Sequence, residues 1–200
     1  MIKPPGYPAR PVNGGTLPQA LTKSGEWTLE GKYNGWRAWV HLPTRAMFNR
    51  HNQPLSITTE FTTALDRLAG LPFEWLDVEA LDRRHQIGRG TLILLDALPA
   101  GNTFQDRKYF IQIAAALREN PIPIHRELHQ PLANHSVYLP MTWRYEAGPQ
   151  LWQILQASNR ALGCEFWEGV VAKRNDSPYP LQRRSPDQEF PFWMKHRWAF

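Results

Sequence analysis

The sequence predicts an α+β fold, in which a mostly antiparallel sheet has a few helices between its strands. Short runs of alternating, β-prone residues recur along the 200 residues, and three longer segments carry apolar side chains at helical spacing. No internal repeat is visible, and no linker divides the chain. A chain of this length can bury one core, and a hydrophobic fraction of 42% with nine tryptophans indicates that it does.

The first part of the chain is predicted to run from an arm into strands. Residues 1–25 are rich in proline and glycine, which predicts an extended N-terminal arm with little regular structure. Residues 27–42 alternate in character, which predicts a hairpin with Gly35 at its turn. Residues 44–57 predict a second short pair of strands, broken around residues 51–53.

The rest of the chain is predicted to mix helices and strands. Thr58 is the expected N-cap of a first helix, which ends at Gly70. The elements that follow are strands over residues 73–80 and 90–98, a helix over 104–118, a strand over 136–139, a helix over 149–162 that Gly163 ends, and a strand over 166–173.

Charge and composition narrow the class of partner. The formal net charge of +5 favours a polyanionic partner.

The single Cys164 excludes an internal disulfide and a cysteine-rich zinc site, and it indicates a reducing compartment. No apolar run approaches the roughly 20 residues that span a bilayer, and the start of the chain lacks the apolar core of a signal peptide. We therefore expect a cytoplasmic protein without membrane association.

Five short motifs carry chemistry and occur in an informative order. They are Lys32-Tyr33-Asn34-Gly35-Trp36-Arg37, Arg50, Leu76-Asp77-Val78-Glu79, Glu168-Gly169-Val170-Val171-Ala172-Lys173 and Trp193-Met194-Lys195-His196-Arg197. Together they supply one lysine that could act as a nucleophile, two carboxylates that could hold a divalent metal, and several cations for phosphate. This set suits attack of a lysine amine on a nucleotide phosphate, through a covalent lysyl-nucleotide intermediate.

At these residues the sequence resembles the covalent nucleotidyltransferases, which comprise ATP-dependent DNA ligases, RNA ligases and mRNA capping enzymes. Their signatures are K-x-D-G-x-R, a D-G-E-type strand, E-G-V-x-x-K and W-x-K-x-K, and the resemblance runs from Glu30 to Arg197. The spacings from Lys32 to Glu79 and on to Glu168 are more similar to those of the compact DNA ligases. The resemblance implies antiparallel sheets with flanking helices around a nucleotide cleft, ATP with Mg²⁺ or Mn²⁺ as cofactors, and nicked duplex DNA as partner.

The resemblance also assigns roles to single residues. Lys32 would be the catalytic nucleophile, and because an ammonium cannot attack phosphorus, nearby cations would favour loss of its proton. Glu79 and Glu168 would bind the metal, and Glu30 would accept a hydrogen bond from the exocyclic amine of adenine. The nucleotide-binding residues that it implies are Glu30, Gly31, Arg37, Arg50, Glu79, Lys173, Lys195 and Arg197.

Three positions depart from the family pattern. Asn34 stands where the family has aspartate, so one carbonyl oxygen is kept and the charge is lost. Leu95 stands where an aromatic residue usually stacks on the base, which leaves apolar contact alone. Arg197 replaces the lysine that ends the last motif, so the charge is kept in another geometry.

Residues 26–200 are expected to form one nucleotidyltransferase (adenylation) domain, with no OB-fold domain after it. A basic tail that includes Arg183 and Arg184, or an accessory clamp protein, would then help to hold the DNA. We expect a monomer. The alternatives are an RNA ligase, a capping-type guanylyltransferase, and a catalytically weak nucleic-acid-binding relic of the same fold.

Overall fold

The computed structural model describes residues 2–8, 10–15, 17, 26–56, 58–81, 87–130, 132, 136–179, 181 and 185–198. The strands in these residues are β1 (Arg10–Asn13), β2 (Trp27–Tyr33), β3 (Trp36–His41), β4 (Ala46–Asn49), β5 (Trp75–Leu81), β6 (Thr91–Leu98), β7 (Ile124–His125), β8 (Val137–Pro140), β9 (Thr142–Arg144), β10 (Trp167–Arg174) and β11 (Glu189–Arg197). The helices are α1 (Thr62–Leu68), α2 (Phe104–Ala116) and α3 (Gly148–Leu162).

These strands form two sheets, which confirms the predicted α+β class. The first sheet has the order β1-β11-β10-β2-β9 and the second the order β4-β3-β5-β6-β8-β7. Most neighbouring strands are antiparallel, whereas the pairs β1–β11, β6–β8 and β7–β8 are parallel. None of the described helices has the length and apolar character that crossing a membrane requires.

The predicted hairpin over residues 27–42 is wrong. Its two halves are β2 and β3, and they belong to different sheets, where β2 pairs with β10 and β3 pairs with β4 and β5. Alternation along a strand indicates which side chains share a face, but it does not identify the partner strand. The chain therefore crosses from one sheet to the other at Asn34-Gly35.

The N-terminal arm also differs from its prediction. Residues Arg10–Asn13 form a strand that pairs in parallel with β11, and the backbone N–H of Gly14 donates to the carbonyl of Lys195 at 3.0 Å. This pairing satisfies backbone groups that the edge of the first sheet would otherwise leave open. Residues 18–25 of the predicted arm lie outside the described residues.

Two further predictions on residues 44–61 are corrected. β4 is followed by turns and by one isolated bridge between Phe48 and Pro54 instead of a second strand. The N-cap of α1 is Phe61 and not Thr58, because a 3₁₀ turn over Thr58–Phe61 comes first. Such turns are common where a helix begins.

The other helix boundaries follow their sequence signals. Thr103 and Asp106 form a capping box at the start of α2. Gly163 ends α3 with a φ of 65°, as predicted.

The helices pack against the outer faces of the sheets and form two apolar cores there. One core packs Leu76 of the second sheet against Leu65 of α1 and Ile111 of α2. The other packs Val170 of the first sheet against Leu155 of α3. The inner faces of the two sheets are left to line a cleft.

Candidate active site

A cavity of about 580 Å³ lies between the two sheets. Strands β2, β10 and β11 line it on one side, and β3, β5 and β6 line it on the other. Every residue predicted for the site lines this cavity, namely Glu30, Gly31, Lys32, Arg37, Arg50, Glu79, Glu168, Lys173, Lys195 and Arg197. The fold therefore brings together side chains that are far apart in the sequence.

The register of the first sheet sets its charged residues in rows. Gly169 of β10 lies opposite Lys32 on one side and opposite Arg197 on the other. Val171, two positions later on β10, lies opposite Glu30 of β2 and opposite Lys195 of β11. Because residues two apart on a strand point to the same face, these side chains all line the cavity.

Gly169 has a backbone reason to be glycine. Its φ is 145°, and an added Cβ would lie 1.9 Å from the carbonyl oxygen of His196 on the neighbouring strand. A side chain here would push β10 and β11 apart. The glycine thus permits the close strand pairing on which the position of Arg197 depends.

Glu168 joins the predicted nucleophile to the last motif. The Lys32 Nζ donates a short hydrogen bond to Glu168 Oε2, and an Arg197 guanidinium nitrogen lies 2.9 Å from the same oxygen. Lys32 and Glu168 are only partly exposed, whereas almost half of the Arg197 side chain is exposed. The carboxylate therefore holds both cations at the wall of the cavity.

Glu79 lies on the opposite wall, in the second sheet. Its Oε1 accepts a hydrogen bond from the backbone N–H of Gly35 at 3.0 Å. Burial raises the pKa of the Glu79 carboxyl to about 7, although the charges of Lys32 and Arg37 oppose that shift. The negative charge of Glu168 adds to the rise.

The two carboxylates suit a divalent cation. No group of three or more His, Cys, Asp or Glu side chains in the described part of the chain could hold a metal by itself. Mg²⁺ commonly takes one or two carboxylates and completes its shell with water and phosphate oxygens. A cation bound between Glu79 and Glu168 would also offset the charge of Glu168, which adds to the rise that burial gives the pKa of Glu79.

The crossover at Asn34 and Gly35 explains one departure from the family pattern. The side-chain amide of Asn34 donates to the carbonyl of Glu165 at 2.9 Å, and its backbone N–H donates to Phe166. An ionised aspartate could not donate to Glu165. An added Cβ at Gly35 would lie 2.7 Å from the carbonyl oxygen of Ala80, so this glycine is required by close approach.

Arg37 is fixed before any ligand binds. Its guanidinium donates two hydrogen bonds to Asp77, and the Tyr179 hydroxyl donates to the same carboxylate at 2.6 Å. The guanidinium carbon lies 5.6 Å from the ring centroid of Trp193 on the opposite sheet. Asp77 thus supports the site by orienting Arg37.

Glu30 lies at the buried end of the cavity with 2% of its surface exposed. Its two oxygens lie 2.9 Å from Lys108 Nζ and 2.8 Å from Lys173 Nζ. Burial alone would raise the pKa of Glu30, but the two ammonium groups outweigh burial and lower it. The carboxylate is therefore ionised and still has lone pairs with which to accept a further hydrogen bond.

Two predicted positions lie at less enclosed parts of the cavity. Arg50 is exposed, and its Nε lies 3.0 Å from His51 Nε2. Leu95 is partly buried and lines the cavity, which agrees with apolar contact at that position. Trp36, with 40% of its surface exposed, also lines the cavity.

Known structures share this fold. The ligase domain of M. tuberculosis LigD has a TM-score of 0.60 at 20% identity, covering 96% of this chain and 59% of that chain. A mycobacterial DNA ligase D complexed with ATP and MES has a TM-score of 0.56 at 21% identity, covering 96% and 60%. A Chlorella virus DNA ligase-adenylate has a TM-score of 0.57 at 12% identity, covering 96% and 67%.

The chain has the fold of a DNA ligase nucleotidyltransferase domain. It spans about three fifths of the two mycobacterial structures. No protein-family model matches it, and no curated protein matches it in sequence. The cleft described above is the space that this nucleotidyltransferase fold encloses between its two sheets.

Two cations in this fold were not predicted from the sequence. Lys108 lies on the buried face of α2 beside Phe104 and Ile111, at spacings of four and three residues. A lysine in an apolar helical stripe was the signal that could have revealed a buried ion pair. Arg10 lines the cavity from β1, which the prediction left as irregular arm. Arg183 and Arg184 of the predicted basic tail lie outside the described residues.

Proposed function

We propose that the protein is an ATP-dependent DNA ligase that seals nicks through a lysyl-AMP intermediate on Lys32. The observation that carries the proposal is the position of Lys32 at the wall of an enclosed cavity, paired with Glu168 and facing Glu79. The fold supports it, because the neighbours include a DNA ligase complexed with ATP and a DNA ligase-adenylate. A lysine, two carboxylates and several cations line one cavity, and nucleotidyl transfer requires such a set as nucleophile, metal ligands and phosphate-binding groups.

In the first step, the deprotonated Nζ of Lys32 attacks the α-phosphorus of ATP. A nitrogen–phosphorus bond forms, and the bond from that phosphorus to the oxygen bridging the β-phosphate breaks. That oxygen keeps the electron pair and leaves as part of pyrophosphate. The lysine nitrogen loses two protons to water, one from the ammonium before attack and one as the phosphoramidate forms. Arg197 and Lys195 line the same wall, where their charges would stabilise the charge that develops on phosphate oxygens.

The second step would use the same lysine as the leaving group, and the third would release AMP. The 5′-phosphate at a nick attacks the phosphorus of lysyl-AMP, which returns the amine and forms a 5′–5′ pyrophosphate linkage between AMP and DNA. The 3′-hydroxyl then attacks the DNA phosphorus, so that a phosphodiester forms and AMP departs. Glu168 would take the recovered ammonium of Lys32 as its partner again, since the two side chains are already in hydrogen-bond contact.

Adenine would occupy the buried end, where Glu30 lies. The ionised carboxylate would accept from the exocyclic amine of adenine, whereas guanine presents a carbonyl oxygen that a carboxylate repels. Glu79 and Glu168 would hold Mg²⁺ or Mn²⁺. The cation would supply Lewis-acid polarisation of phosphate oxygens, and Arg37 and Arg50 would contact ribose or phosphate.

The adenylation step is tested by intact mass after incubation with ATP and Mg²⁺. The expected result is a gain of one AMP, with peptide mapping to Lys32. Lys32→Arg keeps the charge and the pairing with Glu168 but should not become labelled. Lys3→Arg is a matched control, because Lys3 is exposed at the N-terminus and should leave labelling intact. Labelling of the Lys32→Arg protein at another residue would contradict the assignment.

The polynucleotide is tested by adding purified adenylated protein to matched nicked duplexes of all DNA and all RNA. The expected result is faster sealing of the DNA nick. A preference for RNA would move the function to an RNA ligase. Labelling without sealing of either nick would favour the weak relic of the fold.

A further inference from the structure

The N-terminal segment spans the two sheets beside the cleft. On the second sheet, the indole N–H of Trp39 in β3 donates to the carbonyl of Gly6 at 3.0 Å. On the first sheet, β1 pairs with β11. Pro8 lies between these anchors, is buried, and lines the cavity. Part of the cavity wall therefore comes from a segment that contains none of the five motifs.

Arg10 is the cation that this segment brings to the cavity. One guanidinium nitrogen lies 2.6 Å from Asp187 Oδ1, and its Nε lies 3.9 Å from Glu189 Oε1. All three side chains are well exposed, at 37%, 67% and 44% respectively. Water competes for such a pair, so Arg10 can exchange Asp187 for another anion.

Arg10 belongs to a group of cations at the more exposed end of the cavity. Lys32 and Arg197 lie on either side of Gly169 in the sheet, and Lys195 is two residues before Arg197 on β11. Burial lowers the pKa of Lys195, and the charges of Arg197, Arg10 and Lys32 lower it further, while the charge of Glu189 opposes the shift. All four line the cavity. Two carboxylates lie among these cations: Glu168 contacts Lys32 and Arg197, and Glu189 lies beside Arg10.

The direction of a bound nucleotide follows from burial. Glu30 at one end of the cavity is 2% exposed, Lys32 is 18% exposed, and Arg197 and Arg10 are 45% and 37% exposed. If adenine lies at Glu30 and the α-phosphorus lies at Lys32, the remaining phosphates must extend toward the open end. That end is where Arg10 lies beside β11.

We propose that Arg10 binds the β- and γ-phosphates of ATP and the pyrophosphate that leaves, exchanging Asp187 for phosphate oxygens. This proposal rests on the proposed function. When the bond between the α-phosphorus and the bridging oxygen breaks, that oxygen keeps the electron pair and the leaving group gains one negative charge. A guanidinium offers two parallel N–H donors to phosphate, and its charge opposes the charge that develops.

The test measures equilibrium binding by calorimetry in a Lys32→Met background, so that no nucleotide is consumed. The ligands are ATP, AMP and inorganic pyrophosphate, each with Mg²⁺. Arg10→Gln should weaken ATP and pyrophosphate binding about 10-fold, the scale of a charge-assisted hydrogen bond, and leave AMP binding unchanged. Arg144→Gln is the matched control, because Arg144 is an exposed arginine on β9 at the opposite edge of the same sheet.

Asp187→Asn separates phosphate binding from a structural role. It breaks the same ion pair as Arg10→Gln but keeps the cation, so pyrophosphate should bind more tightly than to the parent protein. If Arg10 acts only by holding β1 to β11, both substitutions should weaken binding of all three ligands together, and the proposal is overturned. Unchanged pyrophosphate binding in Arg10→Gln also overturns it.

Intact mass after incubation of the Lys32-containing protein with ATP and Mg²⁺ shows whether the role of Arg10 or the proposed function is wrong. If that protein gains AMP and Arg10→Gln binds pyrophosphate normally, only the role of Arg10 is wrong. If pyrophosphate binding depends on Arg10 but the protein never gains AMP, Arg10 is an anion-binding residue and the ligase assignment is wrong.

Discussion

The charge state of His125 should control the stability of the core behind Lys32. The His125 ring stacks on Trp167 with centroids 5.5 Å apart, and its Nδ1 lies 3.0 Å from the hydroxyl of Tyr33, the residue after Lys32. Burial lowers the pKa of His125 from 6.5 to about 4, and the Glu127 backbone offsets part of that shift. Burial also raises the pKa of Tyr33 well above its usual value, so this partner stays neutral.

The sign and size of the effect follow from these two pKa values. Between pH 6.5 and 4 the unfolded chain binds a proton at this position and the folded chain does not, so the free energy of unfolding falls as the pH falls. A difference of about 2.5 pKa units corresponds to about 3 kcal/mol, lost progressively over that range. A loss of this size is a large part of the stability of a typical domain.

Urea unfolding measured at steps from pH 7.5 to 4.5 tests this prediction. The informative variant is Tyr33→Phe/His125→Phe, which removes both partners of the hydrogen bond and leaves no buried group unpaired. Its stability should change less with pH than that of the parent, by about 2.5 kcal/mol, because pH 4.5 is still above the pKa of the folded protein and the loss is not yet complete there. His129→Gln is the matched control, because water surrounds that exposed side chain in the folded and unfolded states alike. An unchanged pH dependence in the double variant would refute the reasoning.

Three further substitutions test single contacts of the site. Gly169→Ala should prevent the native pairing of β10 with β11, because its Cβ would meet the carbonyl of His196; a normal melting temperature would contradict this. Glu30→Gln should lower the free energy of unfolding by about 3 kcal/mol, since two buried ammonium groups lose their anion, and urea unfolding measures the loss. Asn34→Asp should lower the free energy of unfolding by about 1 kcal/mol, because the side chain can no longer donate to the Glu165 carbonyl. Thermal unfolding measures the loss, and equal or greater stability would show that this bond is unimportant.

The sequence predicted the strands better than their pairing. Residues 27–42 alternate as two strands do, and both β2 and β3 are present. Their placement in different sheets depends on contacts with β10 and β5, which come from distant parts of the sequence. The pattern of residues within a segment does not report which distant strand that segment pairs with. The sequence therefore predicted a hairpin, which is wrong.

The lining of the cavity was predictable where residues follow the motifs. Lys32 and Glu79 reach the cavity by the alternation of side chains along β2 and β5. Glu168 reaches it through a shift in the register of β10 against β2 between Trp167 and Gly169, which alternation does not predict. Lys108 and Arg10 were missed for a different reason. Lys108 lies in a helix and Arg10 in a proline-rich segment, and each contacts its acidic partner only through the tertiary fold.

The first motif has a structural role besides its proposed chemical one, because it contains the crossover between the sheets. Asn34 and Gly35 take the chain from β2 to β3, and this short connection sets Lys32 and Arg37 on opposite walls of one cavity. The amide of Asn34 holds the crossover to the segment before β10, and the N–H of Gly35 holds it to Glu79. The turn that separates the two cations therefore also fixes a carboxylate between the walls. A substitution at Asn34 should therefore act on the proposed adenylation of Lys32 through the spacing of the two sheets, since the Asn34 side chain donates to Glu165 and does not line the cavity.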